Sequence, residues 1–465
     1  MSGSTQVRLG ERYAREQIVV DLEHRQVVKD LLAKIPLPVE EAESLPELGL
    51  ALLSIPDLEA KASEMLNDHG DLKDIQETLG RERDALGLPP EPSHLDVLML
   101  YLRRRAAEQH AGWVPIMGKN RDVEAIGGLP HTGGGEGFPS PAKMAVALQE
   151  RPPHQHRTVR IGVLDTGLFP NEALEGRVVT SDFVEAEEPF RPFHGHATFV
   201  CGRILQRAPG AELHLRRVLR DDTGRASSWD VAKGMASFLG SGMEILNMSL
   251  GFSTADGSPG LVMERAVTAL SAEMVIVAAA GNHGKDVGGN HGKVREEFGE
   301  EDLPEVLATI LTKPNSPMWP AAQWNVVAVG AIDDKGKPAA FSRPDLPWLD
   351  FVAPGVDVES TFVTGKVRAY QPRLVDHKVE LEEIEVGDGV AFEGTARWSG
   401  TSFAAADATG EIAKLAQQPG QTARQALRAL RARRPGGKDD VHRPHRPAAA
   451  PAAEAAPQPA AAAAR

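Results

Sequence analysis

Five short apolar runs in the middle of the chain constrain its fold more than any other feature. Residues 159–164, 212–219, 243–249, 274–280 and 326–332 are runs or alternations of Val, Ile, Leu, Met and Ala, and the stretches between them are long enough for a helix. Strands that read as apolar throughout are buried on both faces, and the helices that cross between them supply the cover. The predicted fold class is therefore α/β, a three-layer, doubly wound, mostly parallel sheet. In open sheets of this kind, sites form beyond the carboxyl ends of the strands. Asp165, Ser249 and Asn282 each fall at or just past such an end.

The flanking segments read differently. Residues 1–110 are predicted to form a small all-α N-terminal region. Ser54 precedes Asp57, and Ser93 precedes Asp96, each ahead of apolar residues at helical spacing, the arrangement of a capping box. Leu95, Leu98 and Leu102 share one face of the second of these helices. From 111 to 158 the composition shifts to Gly, Pro and His, which predicts a linker or an extended strand lying on a neighbour. His131, His154 and His156 share no ligand-like spacing with a carboxylate or cysteine, so they read as loop residues rather than a metal site. Beyond a globular domain over 159–418, a basic helix is expected over 419–434 and a disordered Ala/Pro-rich tail over 435–465.

Composition excludes several functions. A formal net charge of −14 argues against a nucleic-acid-binding surface and against attraction to anionic membranes. Cys201 is the sole cysteine, so no internal disulfide forms, and the first residues carry charges where a secretory signal needs an apolar run. No apolar stretch approaches the roughly 18 residues of a membrane helix. A cytoplasmic location is the expectation.

Four strings carry chemistry: VLDTG at 163–167, GHATFVCG at 195–202, AAAGN at 278–282 and SGTSFAA at 399–405. Alone, the last is a small-residue helix start of the kind that allows close packing. A hydroxyl at that position, however, lies where outward N–H groups and the helix dipole favour a developing oxyanion. Acyl transfer by a serine needs a base, a carboxylate to orient the base, and donors for the tetrahedral oxygen. Ser402, His196, Asp165 and the side-chain amide of Asn282 can supply these in turn, with the backbone N–H of Ser402 as a further donor.

With these strings, residues 159–418 resemble a subtilisin-like serine protease (subtilase, peptidase S8 type), and the order Asp165, His196, Ser402 is the one that family uses. Asn247-Met248-Ser249-Leu250-Gly251, Met318-Trp319-Pro320-Ala321 and Val352-Ala353-Pro354-Gly355 resemble further family segments. The resemblance implies a serine endopeptidase working through an acyl-enzyme, with substrate lying as an extended strand beside Ser249, Leu250 and Gly251. It implies a first pocket walled by Ala278, Ala279, Ala280 and Gly281, whose small side chains leave room for a fairly large residue, and sets Trp229 at the edge of a more distant pocket or in the core. His196, two residues before Thr198 and six before Gly202, fits the motif; His194 is then a rim residue. Cys201 is read as a small core residue.

Three positions depart from the family pattern: Ala197 for a glycine, Ala406 for a proline, and Asp407, which on a helix lies about 140° around the axis from Ser402 and should face away from it. The loops 283–317 and 361–397 are specificity candidates. No cofactor is required; family members often bind calcium, but no acidic loop here has a spacing that demands it. The partners expected are a peptide or protein substrate and, for the N-terminal region, either a docked protein or the role of a prosegment released within the Gly-rich stretch 133–137. Two competing readings remain. One is a catalytically impaired peptide-binding or scaffold protein on the same fold. The other is an aspartic protease built on the repeated DTG at 165–167 and 222–224, for which a separation of 222 − 165 = 57 residues is short for two lobes.

Overall fold

The computed structural model describes residues 13–35, 37–68, 70–85, 92–126, 139–143, 148–150, 157–254, 257–283, 316–368, 371–375, 378–382 and 389–433. The first part of the chain is built from strands as well as helices. It runs β1 (Tyr13–Asp21), α1 (Arg25–Leu32), β2 (Glu40–Leu45), β3 (Leu50–Ser54), α2 (Leu58–Asp68), α3 (Gly70–Ala85), α4 (His94–Gln109) and β4 (Met117–Ala125). These strands pair antiparallel in the order β4-β1-β3-β2.

The all-α expectation for this region is thus corrected, and the reason is physical. The runs Ile18-Val19-Val20 and Leu50-Ala51-Leu52-Leu53 are almost wholly buried on both sides, and a short continuous apolar run does not distinguish strand from helix. Ile18, Val20, Ala51 and Leu53 pack with α1 and α4, while Val19, Leu50 and Leu52 belong to a separate core shared with later helices. Ser93 caps α4, accepting from Asp96 N at 3.1 Å. Ser54 ends β3 instead of capping, because Asp57, at φ 63, interposes a turn before α2.

The second part carries β5 (Ser140–Pro141), β6 (Arg160–Asp165), β7 (Val178–Val179), α5 (His196–Arg207), β8 (Glu212–Arg217), β9 (Arg225–Ser227) and α6 (Ser228–Ala236). It continues through β10 (Ile245–Met248), β11 (Leu250–Gly251), α7 (Gly260–Glu273), β12 (Val275–Ala279), β13 (Val326–Ile332) and β14 (Phe351–Pro354). The seven-stranded sheet β14-β13-β12-β10-β6-β8-β7 is parallel at every pairing, so the chain is α/β. Each expected run supplies one of its strands.

Side chains along β12 alternate between two cores: Val275, Val277 and Ala279 on one face, Ile276 and Ala278 on the other. This two-residue period is the pleat itself, and both faces are apolar because both are covered. One face carries α5, α8 (Thr401–Ala416) and α9 (Ala423–Ala432); the other carries α6 and α7. Before α8, β15 (Val358–Val367) and β18 (Val390–Trp398) pair antiparallel, with β16 (Gln371–Val375) and β17 (Lys378–Glu382) forming a separate hairpin. β5 adds an edge to β18. Among the described residues no helix is long and apolar enough to cross a membrane. His131, His154, His156, the stretch 133–137, most of the loop 283–317 and the 435–465 tail lie outside the described residues.

Candidate active site

Asp165, His196, Asn282 and Ser402 come from four elements. Asp165 closes β6, His196 opens α5, Asn282 follows β12, and Ser402 is the second residue of α8; all four are fully buried. His196 Nδ1 lies 2.7 Å from Asp165 Oδ1, which also accepts from Thr166 N at 2.8 Å. With a carboxylate as its partner, Nδ1 carries the proton, leaving Nε2 as a base. That Nε2 is buried and has no hydrogen-bond partner among the described residues. Phe193, Trp398 and Phe403 surround the ring at centroid distances of 6.1, 5.7 and 5.7 Å, which keeps water away and fixes its plane.

Ser402 Oγ is turned toward two carbonyl oxygens, Ile126 O at 2.7 Å and Ser249 O at 3.1 Å. Ile126 is the residue that sequence reasoning missed. β4 leaves its own sheet and enters the second part of the chain, where it runs between β9 and β11. Leu250 faces Ala125 and Gly251 faces Glu124 across one antiparallel ladder, while Arg225 faces Glu124 and Ala226 faces Val123 across the other. Ala125 N donates to Gly224 O at 2.8 Å and Ile126 N to Ser249 O at 3.1 Å. The chain's own 122–126 segment therefore lies as an extended strand in the groove expected for a substrate, beside the predicted Ser249, Leu250 and Gly251.

The Ile126 carbonyl is also met by Asn282 Nδ2 at 3.1 Å. Asn282 is held by its other end: Oδ1 accepts from Thr401 N and from Thr401 Oγ1, both at 2.9 Å. Gly400 leaves the Ile126 carbonyl close room: a Cβ there would lie 3.2 Å from Ile126 O, a tight approach, and 3.5 Å from Asn282 Nδ2, an ordinary contact. Of the residues expected to wall the first pocket, Ala279 shares a core cluster with Ile126 and Met318, whereas Ala278 and Ala280 face the opposite core. Gly281 donates its N–H to Thr401 Oγ1 at 3.2 Å.

His194 is buried and not on a rim: its Nδ1 accepts from Arg191 N at 3.2 Å, its ring meets Phe190 edge-on, and burial holds its pKa below the usual imidazole value. Cys201 is fully buried, and loss of solvent pushes its thiol pKa up. Ala197 fits within the core while the His196 ring keeps its bond to Asp165. Asp407 faces away from Ser402 and is ion-paired in the interior with Arg203 and Arg207 of α5, Arg207 Nε lying 2.8 Å away. Trp229 is 2% exposed and donates Nε1–H to Glu43 of β2 at 2.8 Å. Asp222, the second DTG aspartate, pairs with Arg220 at 2.8 Å instead of approaching Asp165.

The sheet β4-β1-β3-β2 sits on α6 and α7, joining their core through Val19, Leu45, Leu48, Leu50 and Leu52. Asp21 pairs with Arg265 at 2.5 Å, and Glu43 pairs with Lys233 at 2.8 Å. The Lys233 hydrogen bond, assisted by Trp229, holds the Glu43 carboxyl below its ordinary range.

A parallel α/β sheet with a serine, a carboxylate-bound histidine and an amide converging beyond its strand ends defines a class that the comparisons specify. The family model described as "Subtilase family" matches residues 156–436, more than half of the chain, and the protein belongs to that family. Subtilisin BL of Lederbergia lenta is 34% identical over 214 residues, which are 44% of this chain and 66% of that one. Subtilisin Savinase, also of Lederbergia lenta, is 33% identical with the same coverage. An alkaline protease of Shouchella clausii is 33% identical over 214 residues, 44% of this chain and 47% of that one. The chain therefore spans between about half and just under two-thirds of these relatives' length.

Proposed function

We propose that this protein is a serine endopeptidase whose own N-terminal part is its first substrate and its inhibitor. Ser402 attacks the carbonyl carbon of Ile126, His196 Nε2 takes the hydroxyl proton, and Asp165 stabilises the resulting imidazolium. The oxygen of the tetrahedral intermediate is held by the Asn282 amide and the Ser402 N–H. Collapse breaks the Ile126–Gly127 bond, with His196 returning the proton to the amine of Gly127; water then hydrolyses the Ile126 acyl-enzyme. Peptide and protein substrates take the place of residues 122–126 as a strand between β9 and β11.

One observation carries this reading: the Ile126 carbonyl oxygen is met by both Asn282 Nδ2 and Ser402 Oγ, 3.1 and 2.7 Å away. A cut after Ile126 puts the proposed release point ahead of the Gly-rich stretch 133–137 that composition suggested. Retention of Asp165, His196, Asn282 and Ser402 in one buried cluster disfavours the impaired-scaffold reading, and the pairing of Asp222 with Arg220 disfavours an aspartic dyad. A fluorophosphonate probe tests the reading. Stoichiometric labelling of Ser402 in the self-processed protein, absent from Ser402→Ala, is expected; no labelling of Ser402 overturns it.

A further inference from the structure

The segment in the groove also reports what the groove selects. Val123, Ala125 and Ile126 are at most 1% exposed, whereas Glu124 between them stays half-buried. Val123 and Ala125 join a core that includes Trp229 and Leu250; Ile126 joins the opposite core with Ala279 and Met318. Glu124 is the exception in chemistry as well as direction. It lies directly across the ladder from Arg225, with Oε2 3.9 Å from Nε, and Gly251 on its other side offers no side chain. Opposite charges facing each other across an antiparallel ladder favour the pairing, and like charges oppose it.

Resting on the endopeptidase reading above, we propose that the enzyme prefers extended substrates with a β-branched aliphatic residue at the cut and a small residue before it. The third position back is acidic and the fourth is aliphatic, with Arg225 the residue that sets the third. The first, second and fourth preferences arise from burial. Each apolar side chain of Val or Ile size removed from water strengthens binding, and a charge placed there loses its hydration without a partner. The third preference arises from charge at a partly solvated site, so it is smaller and salt-dependent. A partner in solution that matches this pattern is an acidic, aliphatic strand rather than a basic or aromatic one.

The test uses the self-processed full chain and tetrapeptide p-nitroanilides. Val-Glu-Ala-Ile is compared with Val-Lys-Ala-Ile, Val-Glu-Ala-Lys, Val-Glu-Ala-Phe and Asp-Glu-Ala-Ile, in the wild type and in Arg225→Glu. The expected kcat/KM favours Glu over Lys at the third position by about 2- to 5-fold, the range for a partly exposed pair, and this shrinks at high salt. Arg225→Glu should invert that order, read as the ratio of kcat/KM for Val-Glu-Ala-Ile to that for Val-Lys-Ala-Ile within each enzyme. A merely structural arginine would lower all peptides together. Equal rates for Glu and Lys, an uninverted order in Arg225→Glu, preference for Lys or Phe at the cut, or no hydrolysis of any peptide by fluorophosphonate-reactive enzyme overturns the specificity while leaving the endopeptidase reading intact. Lack of fluorophosphonate labelling overturns both.

Discussion

The Asn282 side chain makes two separate sets of contacts, one to the Ile126 carbonyl and one to Thr401, and on the proposed mechanism Asn282→Ala should lose both a catalytic and a stabilising contribution. Its Nδ2 meets the Ile126 carbonyl at 3.1 Å, where the charge of a tetrahedral intermediate would develop. Loss of one such donor costs about 10²- to 10³-fold in kcat, equivalent to about 2.7–4 kcal/mol. Its Oδ1 accepts from Thr401 N and Oγ1 at 2.9 Å each, in a setting where both residues are fully buried. Removing that acceptor strands at least the Thr401 N–H, at about 1–3 kcal/mol of stability. Motif reasoning alone predicts a rate defect with little change in folding; the Thr401 bonds predict a lower unfolding midpoint as well. Thr401→Ala is the control, since it disturbs Oδ1 and not Nδ2, and should lower the midpoint while kcat per labelled serine holds near wild type. The assays are single-turnover peptide hydrolysis with active-site titration and urea unfolding. An Asn282→Ala enzyme with wild-type kcat refutes the oxyanion assignment; one with the wild-type midpoint refutes the anchoring by Thr401.

Asp407→Ala leaves Arg203 and Arg207 without their buried carboxylate between α5 and α8; because Arg207 keeps 24% of its side-chain exposure, a loss near the lower end, about 3 kcal/mol in urea unfolding, is expected, and an unchanged midpoint contradicts it. Docking of the cleaved N-terminal fragment should weaken in acid. The Glu43 carboxyl is depressed in the docked state, chiefly by Lys233, so its contribution is present above the ordinary value of 4.5 and is lost as pH falls through its lowered value. Titration calorimetry of fragment against processed enzyme should show that acid loss, and Glu43→Gln should flatten it; a wild-type affinity that does not fall in acid refutes the role. Gly202→Ala should unfold more easily, because a methyl there collides with the Thr361 and Ser360 hydroxyls that bind α5 backbone carbonyls.

The parallel sheet was legible because strands covered on both faces must be apolar throughout, and Val326–Ile332 was located to the residue. The strings around Asp165, His196, Asn282 and Ser402 stood out because each combines a polar side chain with small or turn-forming neighbours, and the structure puts all four side chains in the interior, with Asp165 paired to His196. The strands at Tyr13–Asp21 and Leu50–Ser54 were not, because the cover for one face of each comes from α6 and α7, more than 150 residues later in the chain. Ile126 was hidden for a related reason. Its flank is rich in Gly and Pro, which masks the Val123-Glu124-Ala125 alternation, and its partners Leu250 and Gly251 are remote in sequence. That alternation, read over a shorter window, is the signal that could have found it.

On the proposed mechanism Ser402 cuts the chain it belongs to after Ile126. Intact mass and N-terminal sequencing of the purified wild type, beside Ser402→Ala, test it most directly. A wild-type fragment beginning at Gly127 with Ser402→Ala intact at that bond is predicted; an uncut wild type, or the same cut in Ser402→Ala, contradicts it.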